Sequence, residues 1–102
     1  MNVEIRVSLQ AVEQAKAAQE WWEANRGAAP SLLHDELASG LQLLARLPEI
    51  GPPYPNDHVP GVRRLLLRKC QHHIYYVYDS EEPGLVVVLV IWSTRRGRGP
   101  SL

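Results

Sequence analysis

The period of apolar and polar positions changes along this chain, and each change marks an element. Val3, Ile5 and Val7 alternate with Glu4, Arg6 and Ser8, which predicts a short strand with one buried face. Ser8 stands at a good N-cap position, and the following stretch Gln10–Arg26 contains no helix breaker. Ala11, Ala15, Ala18 and Trp22 form its apolar stripe, and Gly27 is placed to end the helix in the left-handed conformation. Pro30 suits the first turn of a second helix, which runs to Leu47 and is stopped by Pro48. Leu33, Leu37, Gly40, Leu41, Leu44 and Leu47 make its stripe.

The short connection Gly27–Ala29 predicts that the two helices form an antiparallel hairpin. Small residues on both, with Gly40 facing Ala11, Ala15 or Ala18, would let the axes approach closely. Trp21 and Trp22 cannot both enter that seam, so one is expected on the sheet and the other near the hairpin tip. Five prolines (Pro48, Pro52, Pro53, Pro55, Pro60) between residues 48 and 61 predict an ordered, stiff loop. Asn56, Asp57 and His58 within it form either a small polar site or a plain turn.

Three strand-like runs follow. Val62–Lys69 mixes apolar and basic residues on both faces, so its pattern does not say which face the helices cover. His73–Asp79 alternates His73, Tyr75 and Val77 against Ile74, Tyr76 and Tyr78. Leu85–Trp92 is apolar on both faces, as in a central strand, and Glu81–Gly84 supplies the turn before it. The order β-α-α-β-β-β predicts an α+β fold, a helical hairpin packed on one face of a small, mostly antiparallel sheet.

At 102 residues the chain is long enough for one modest core, and a single domain spanning 1–102 is expected. No apolar run approaches the roughly 18 residues of a membrane span, and the N-terminus lacks a signal-peptide pattern, so a cytoplasmic location is expected. Cys70 stands alone and is expected to pack as a small apolar side chain; no Cys/His spacing suggests a metal site, and no cofactor is implied.

The formal charge of zero conceals an asymmetry. Residues 1–57 carry eight acids against four bases, whereas residues 58–102 carry seven bases against three acids. Six of those seven bases are arginines: Arg63, Arg64, Arg68, Arg95, Arg96 and Arg98. Guanidinium groups beside tyrosines on a small sheet suit phosphate, nucleobases or an acidic peptide. These six arginines are the candidate target-binding residues. Arg95, Arg96 and Arg98 lie on a Gly-punctuated C-terminal arm that is expected to be accessible.

The order of elements, the Pro/Gly loop leading into Pro60-Gly61-Val62-Arg63-Arg64, the Ile74-Tyr75-Tyr76 strand and the Trp92–Pro100 ending together resemble the RelE/ParE superfamily of toxins. These belong to type II toxin–antitoxin modules and are also known as plasmid stabilization proteins. The resemblance covers nearly the whole chain. It implies a compact α+β toxin neutralised by a cognate ParD-like or other small antitoxin. RelE-like members are ribosome-dependent mRNA endoribonucleases, whereas ParE-like members bind and inhibit DNA gyrase.

Cutting RNA through its 2′-hydroxyl needs a base, an acid and cations on the developing phosphorane charge. For a nuclease the candidate catalytic residues are Arg63, Arg68, His73, Tyr75 and Arg95. Arg64 is a further candidate cation and His72 a further proton carrier. Adjacent residues of a strand point to opposite faces, so His72 and His73 cannot line one site. The RelE-like pattern places a Tyr, or a His-Tyr pair, at or past the last strand; here Arg96 is followed by Gly97-Arg98-Gly99-Pro100-Ser101-Leu102. The lysines of the nuclease class are also missing, with only Lys69 left in this region. The expected function is therefore a ParE-like toxin that binds gyrase. A RelE-like ribonuclease acting on ribosome-bound messages, or an inactive homologue that only holds its antitoxin, are the alternatives.

Overall fold

Ser8 joins the first strand to the first helix and ties both to the sheet. The computed structural model describes residues 2–81 and 83–102, with β1 at Glu4–Val7 and α1 at Leu9–Asn25. The Ser8 Oγ accepts a hydrogen bond from the Ala11 N–H at 3.0 Å, which caps α1, and donates one to the Leu89 carbonyl at 2.8 Å. Its backbone N–H reaches the Val88 carbonyl at 2.9 Å. One residue thus satisfies an orphan donor of the helix and part of a strand edge.

α1 closes on Arg26, whose N–H bonds the Trp22 carbonyl. Positive φ among the described glycines is confined to Gly61 and Gly84, so the expected left-handed closure at Gly27 is not used. Instead the Trp22 indole N–H holds the connection by donating to the Ala29 carbonyl at 2.7 Å. Trp22 is buried and Trp21 half exposed, the division expected of the pair. The second helix, α2, spans Leu32–Arg46, starting beyond Pro30, which sits in the connecting turn.

The sheet contains β2 (Val62–Leu67), β3 (His72–Asp79) and β4 (Leu85–Ser93) in the order β1-β4-β3-β2. β1 runs parallel to β4, and the other pairs are antiparallel. β4 therefore lies between two strands, with helices over one face and a second apolar cluster around Val90 on the other, which accounts for its apolar residues on both faces. A bulge shifts its register with β3 between Tyr75 and Tyr76.

The helices cover the face that carries Leu65, Leu67, Ile74, Tyr76, Val86, Val88 and Ile91. Leu33 and Leu44 of α2 are fully buried there, each worth roughly 1.5–3 kcal/mol of transfer free energy. Gly40 does not face the alanines of α1. A Cβ on Gly40 would lie 2.9 Å from Leu67 Cδ2 and 3.2 Å from Ile74 Cδ1, so this glycine lets α2 settle directly on the sheet. α1 packs mainly along β4 and touches α2 less.

The proline loop covers the outer edge of β2. The Tyr54 N–H donates to the Val62 carbonyl at 2.7 Å, and the Arg64 N–H to the Pro52 carbonyl at 3.1 Å. The N–H of buried Gly51 donates to the Tyr76 hydroxyl oxygen at 2.9 Å. Asn56 Oδ1 accepts from the N–H groups of His58 and Val59, which makes this stretch a plain turn. No helix among the described residues is long and apolar enough to cross a membrane.

Candidate functional site

The sheet face turned away from the helices gathers arginine and aromatic side chains. Strand register places Leu66, His73 and Trp92 in one row across β2, β3 and β4, and Arg64, Tyr75 and Val90 in the next. The Arg64 guanidinium lies 5.0 Å from the centre of the Tyr54 ring and donates to the Tyr75 hydroxyl at 3.3 Å. His73 meets Tyr75 edge-on at 5.7 Å. Along the same face Arg96 stacks 4.1 Å over Trp92, and Arg98 lies 5.9 Å from that ring. Each exposed stack is worth about 0.5–1 kcal/mol and orients a guanidinium whose N–H edge suits carboxylate or phosphate.

The C-terminal arm is not a free extension. The Trp92 indole N–H donates to the Arg98 carbonyl at 2.9 Å, which turns the chain back across the sheet. Gly99 then passes so close to Tyr54 that a Cβ would meet its hydroxyl at 2.6 Å. Pro100 is buried, and Leu102 packs on a second apolar cluster of Val62, Tyr75 and Val90. Arg95 to Gly99, the three arginines among them, and Ser101 are exposed, in line with the accessible arm expected, while Pro100 and Leu102 anchor its end.

The six candidate arginines occupy different environments. Arg63 is turned to the helix side, where it donates to the carbonyls of Glu49 at 3.0 Å and Gly51 at 2.8 Å. Its guanidinium also lies 3.7 Å from the Glu49 carboxylate, so Arg63 holds the proline loop. Arg68 is exposed in the turn after β2. Arg64, Arg96 and Arg98 share the open face. Of the five residues proposed for a nuclease, only His73 and Tyr75 are neighbours. Arg63 belongs to the loop, Arg68 to the turn and Arg95 to the far end of β4. Burial, then the charge of Arg64, holds the His73 imidazole below the ordinary histidine value.

His72 points to the other side, as the alternation requires. Its Nδ1 lies 2.8 Å from the Cys70 carbonyl, and in the neutral ring a proton there leaves Nε2 as an acceptor. Burial chiefly, together with Arg95 and Arg96, pushes its pKa down against the effect of that hydrogen bond. The turn leading to it is fixed by Glu36 of α2, which accepts from the N–H groups of Lys69 at 3.0 Å and Cys70 at 2.7 Å. Burial acts to raise the Glu36 pKa, but these hydrogen bonds outweigh it and hold the carboxyl below its ordinary range. Burial and then Glu36 push the Cys70 thiol up to about 12, which leaves it an unreactive packing residue.

Beside His72 a groove of about 500 Å³ runs between α1 and the end of β4. Gln14, Ala17, Ala18, Trp21, Trp22, Cys70, His72, Ile91, Ser93, Arg95 and Arg96 line it. The lining holds two arginines and no acid. The sequence pattern missed this groove, although Ala17 and Ala18 are the small residues that open it. Tyr54 and Trp92 were also missed: one comes from the proline loop, and the other sits at the end of an apolar strand. The opposition of Trp92 and His73 across the register is what joins the two arginine groups.

The comparison with known proteins is consistent with this architecture. No curated protein sequence matches the chain. Among solved structures it is similar to a chain of the chromosomal ParDE toxin–antitoxin system of P. aeruginosa, with a TM-score of 0.70 and 17% identity. That match covers 91% of this chain and 97% of the other, and at this identity it shows the shared fold. A family model described as the ParE toxin of type II toxin–antitoxin systems, parDE, matches residues 5–97. The chain belongs to the ParE toxin family.

Proposed function

We propose that this protein is a cytoplasmic toxin that acts by binding and inhibiting DNA gyrase and is neutralised by a cognate antitoxin. The carrying observation is the open face on which Arg64, Arg96 and Arg98 stack on Tyr54 and Trp92. It presents oriented guanidinium groups without an assembled acid–base pair. His73 has the Tyr75 hydroxyl nearby, but that hydroxyl already receives Arg64, and Tyr75 is buried. A face of this kind binds anionic groups; it lacks the gathered proton carriers and cations that RNA cleavage requires.

Affinity would come from bidentate contacts between the arginines and carboxylate or phosphate, each lost contact costing roughly 1.5–3 kcal/mol. The test is induction in a bacterial host without an antitoxin, followed by parallel assays of DNA supercoiling and message integrity. Loss of gyrase-dependent supercoiling with intact messages is expected. Message cleavage at the ribosome with normal supercoiling would overturn the proposal.

A further inference from the structure

We infer that the groove between α1 and the end of β4 is a small-molecule site, and that it takes an organic carboxylate with a flat aromatic body. The inference goes beyond the toxin reading and does not depend on it.

The groove has the build of a ligand site. Its volume of about 500 Å³ lies within the roughly 300–1,000 Å³ of such sites, and a mostly apolar lining carries a few polar groups. Ala17 and Ala18 leave the space open, Ile91 adds to the apolar wall, and Trp21 and Trp22 supply aromatic surface. The polar groups are held in place. The Thr94 N–H donates to the Gln71 carbonyl at 2.9 Å and its hydroxyl to the Gln71 side-chain oxygen at 3.2 Å. The Arg95 N–H donates to the Ser93 Oγ at 3.2 Å. These bonds pin the turn that carries Arg95 and Arg96. Gln14 Oε1 is taken by the Ile91 N–H at 2.9 Å, so the group that Gln14 offers a ligand is its NH2.

Charge selects the head group. Two guanidiniums and no carboxylate line the groove, and among the described residues the ion pairs engage Arg6 and Arg63 instead. A carboxylate meets a guanidinium edge in two parallel hydrogen bonds, and one head group can bridge adjacent arginines. His72, whose pKa burial and then the two arginines hold down, adds no third positive charge. That suits the single charge of a carboxylate better than the near-double charge of a phosphate monoester. Arg96 also stacks on Trp92, so a head group that draws it into the groove uncovers that ring.

The test titrates 2-naphthoate into the full chain, with affinity read by calorimetry and the contact surface by amide chemical shifts. For its roughly thirteen non-hydrogen atoms a Kd at or below about 1 mM is expected. 2-Naphthalenemethanol lacks the charge and 2-naphthyl phosphate nearly doubles it; each should bind at least about fivefold more weakly. Arg95→Met and Arg96→Met should each weaken 2-naphthoate at least about tenfold. Ala17→Trp, at an exposed position of α1, should block it. Arg96→Lys keeps the charge and loses the fork; it guards against misfolding in the Met variants and should weaken binding less than Arg96→Met. Shifts should concentrate at residues 14–22 and 91–96. Weaker binding by the parent chain, equal or tighter binding of the alcohol or the phosphate, shifts confined to the open face, or unchanged affinity in the variants would overturn the inference.

Discussion

Arg63 and Arg64 are adjacent in sequence and opposite in role, and exchanging each for Met separates structure from function. Arg63 donates to the carbonyls of Glu49 and Gly51 at 3.0 and 2.8 Å, and 27% of its side chain is exposed. Two fully desolvated hydrogen bonds from a charged donor would be worth about 3–6 kcal/mol together. Water can replace the donor at exposed Glu49 but reaches buried Gly51 poorly, so the loss reduces to about 2 kcal/mol. The Glu49 carboxylate is 71% exposed, and its pairing at 3.7 Å adds little. Arg63→Met keeps the aliphatic stem and should lower the urea midpoint by about 1 M for a slope near 2 kcal/mol/M. Arg64→Met forfeits one cation–π contact and one long hydrogen bond, less than about 1 kcal/mol of stability. Toxicity per folded molecule should follow the reverse order, falling strongly for Arg64→Met and little for Arg63→Met. A stable, non-toxic Arg63 variant beside a destabilised, toxic Arg64 variant would refute the assignment of both faces.

Gly40→Leu should cost roughly 1–3 kcal/mol by overpacking against Leu67 and Ile74. Leu67→Ala should partly relieve it; relief by Ala15→Gly instead would put the glycine back against α1. Stability should also fall on mild acidification. His72 and His73 both sit below the ordinary value of 6.5 in the folded chain, chiefly through burial. Above that value both states are neutral and stability is complete. As pH falls below it the unfolded chain takes up protons that the folded chain resists, so stability declines until the folded values are reached. The urea midpoint should therefore be lower at about pH 5.5 than at about pH 7.5, with a flatter profile in His72→Gln. A midpoint that rises on acidification would contradict the burial of both rings.

The element order was legible because the periods are clean. Val3, Ile5 and Val7 make one half-buried strand face, the two leucine- and alanine-bearing stripes follow, and Leu85–Trp92 declares its central place by being apolar on both sides. The alternation that separates His72 from His73 also held. Other features depend on contacts distant in sequence. Arg63 shares the helix-side face with Leu65 and Leu67, so hydropathy cannot orient β2; the carbonyls of Glu49 and Gly51 make that face tolerable for a cation. Gly40 looked like a helix–helix contact because α1 offers the small residues Ala11, Ala15 and Ala18, yet the sheet approaches it first. The tail read as open because Gly97 and Gly99 surround Arg98, while its anchoring by Pro100 and Leu102 depends on Tyr54 and Tyr75 from other elements.

The charge split between the two halves of the chain gains its meaning from these contacts. If the basic half served only to neutralise the acidic half, Arg95 and Arg96 would pair with acids of the helices. Among the described residues the ion pairs instead engage Arg6 and Arg63, and the arginines of the open face, Arg64, Arg96 and Arg98, rest on aromatic rings. Stacking fixes direction without neutralising charge, so a field of positive potential remains where β4 ends. Such a field speeds the approach of an acidic partner and is screened by salt. Arg96 stands where both surfaces meet, 4.1 Å from the Trp92 ring and on the lip of the groove. A single guanidinium can serve one of the two at a time, so the open face and the groove cannot both engage Arg96 fully.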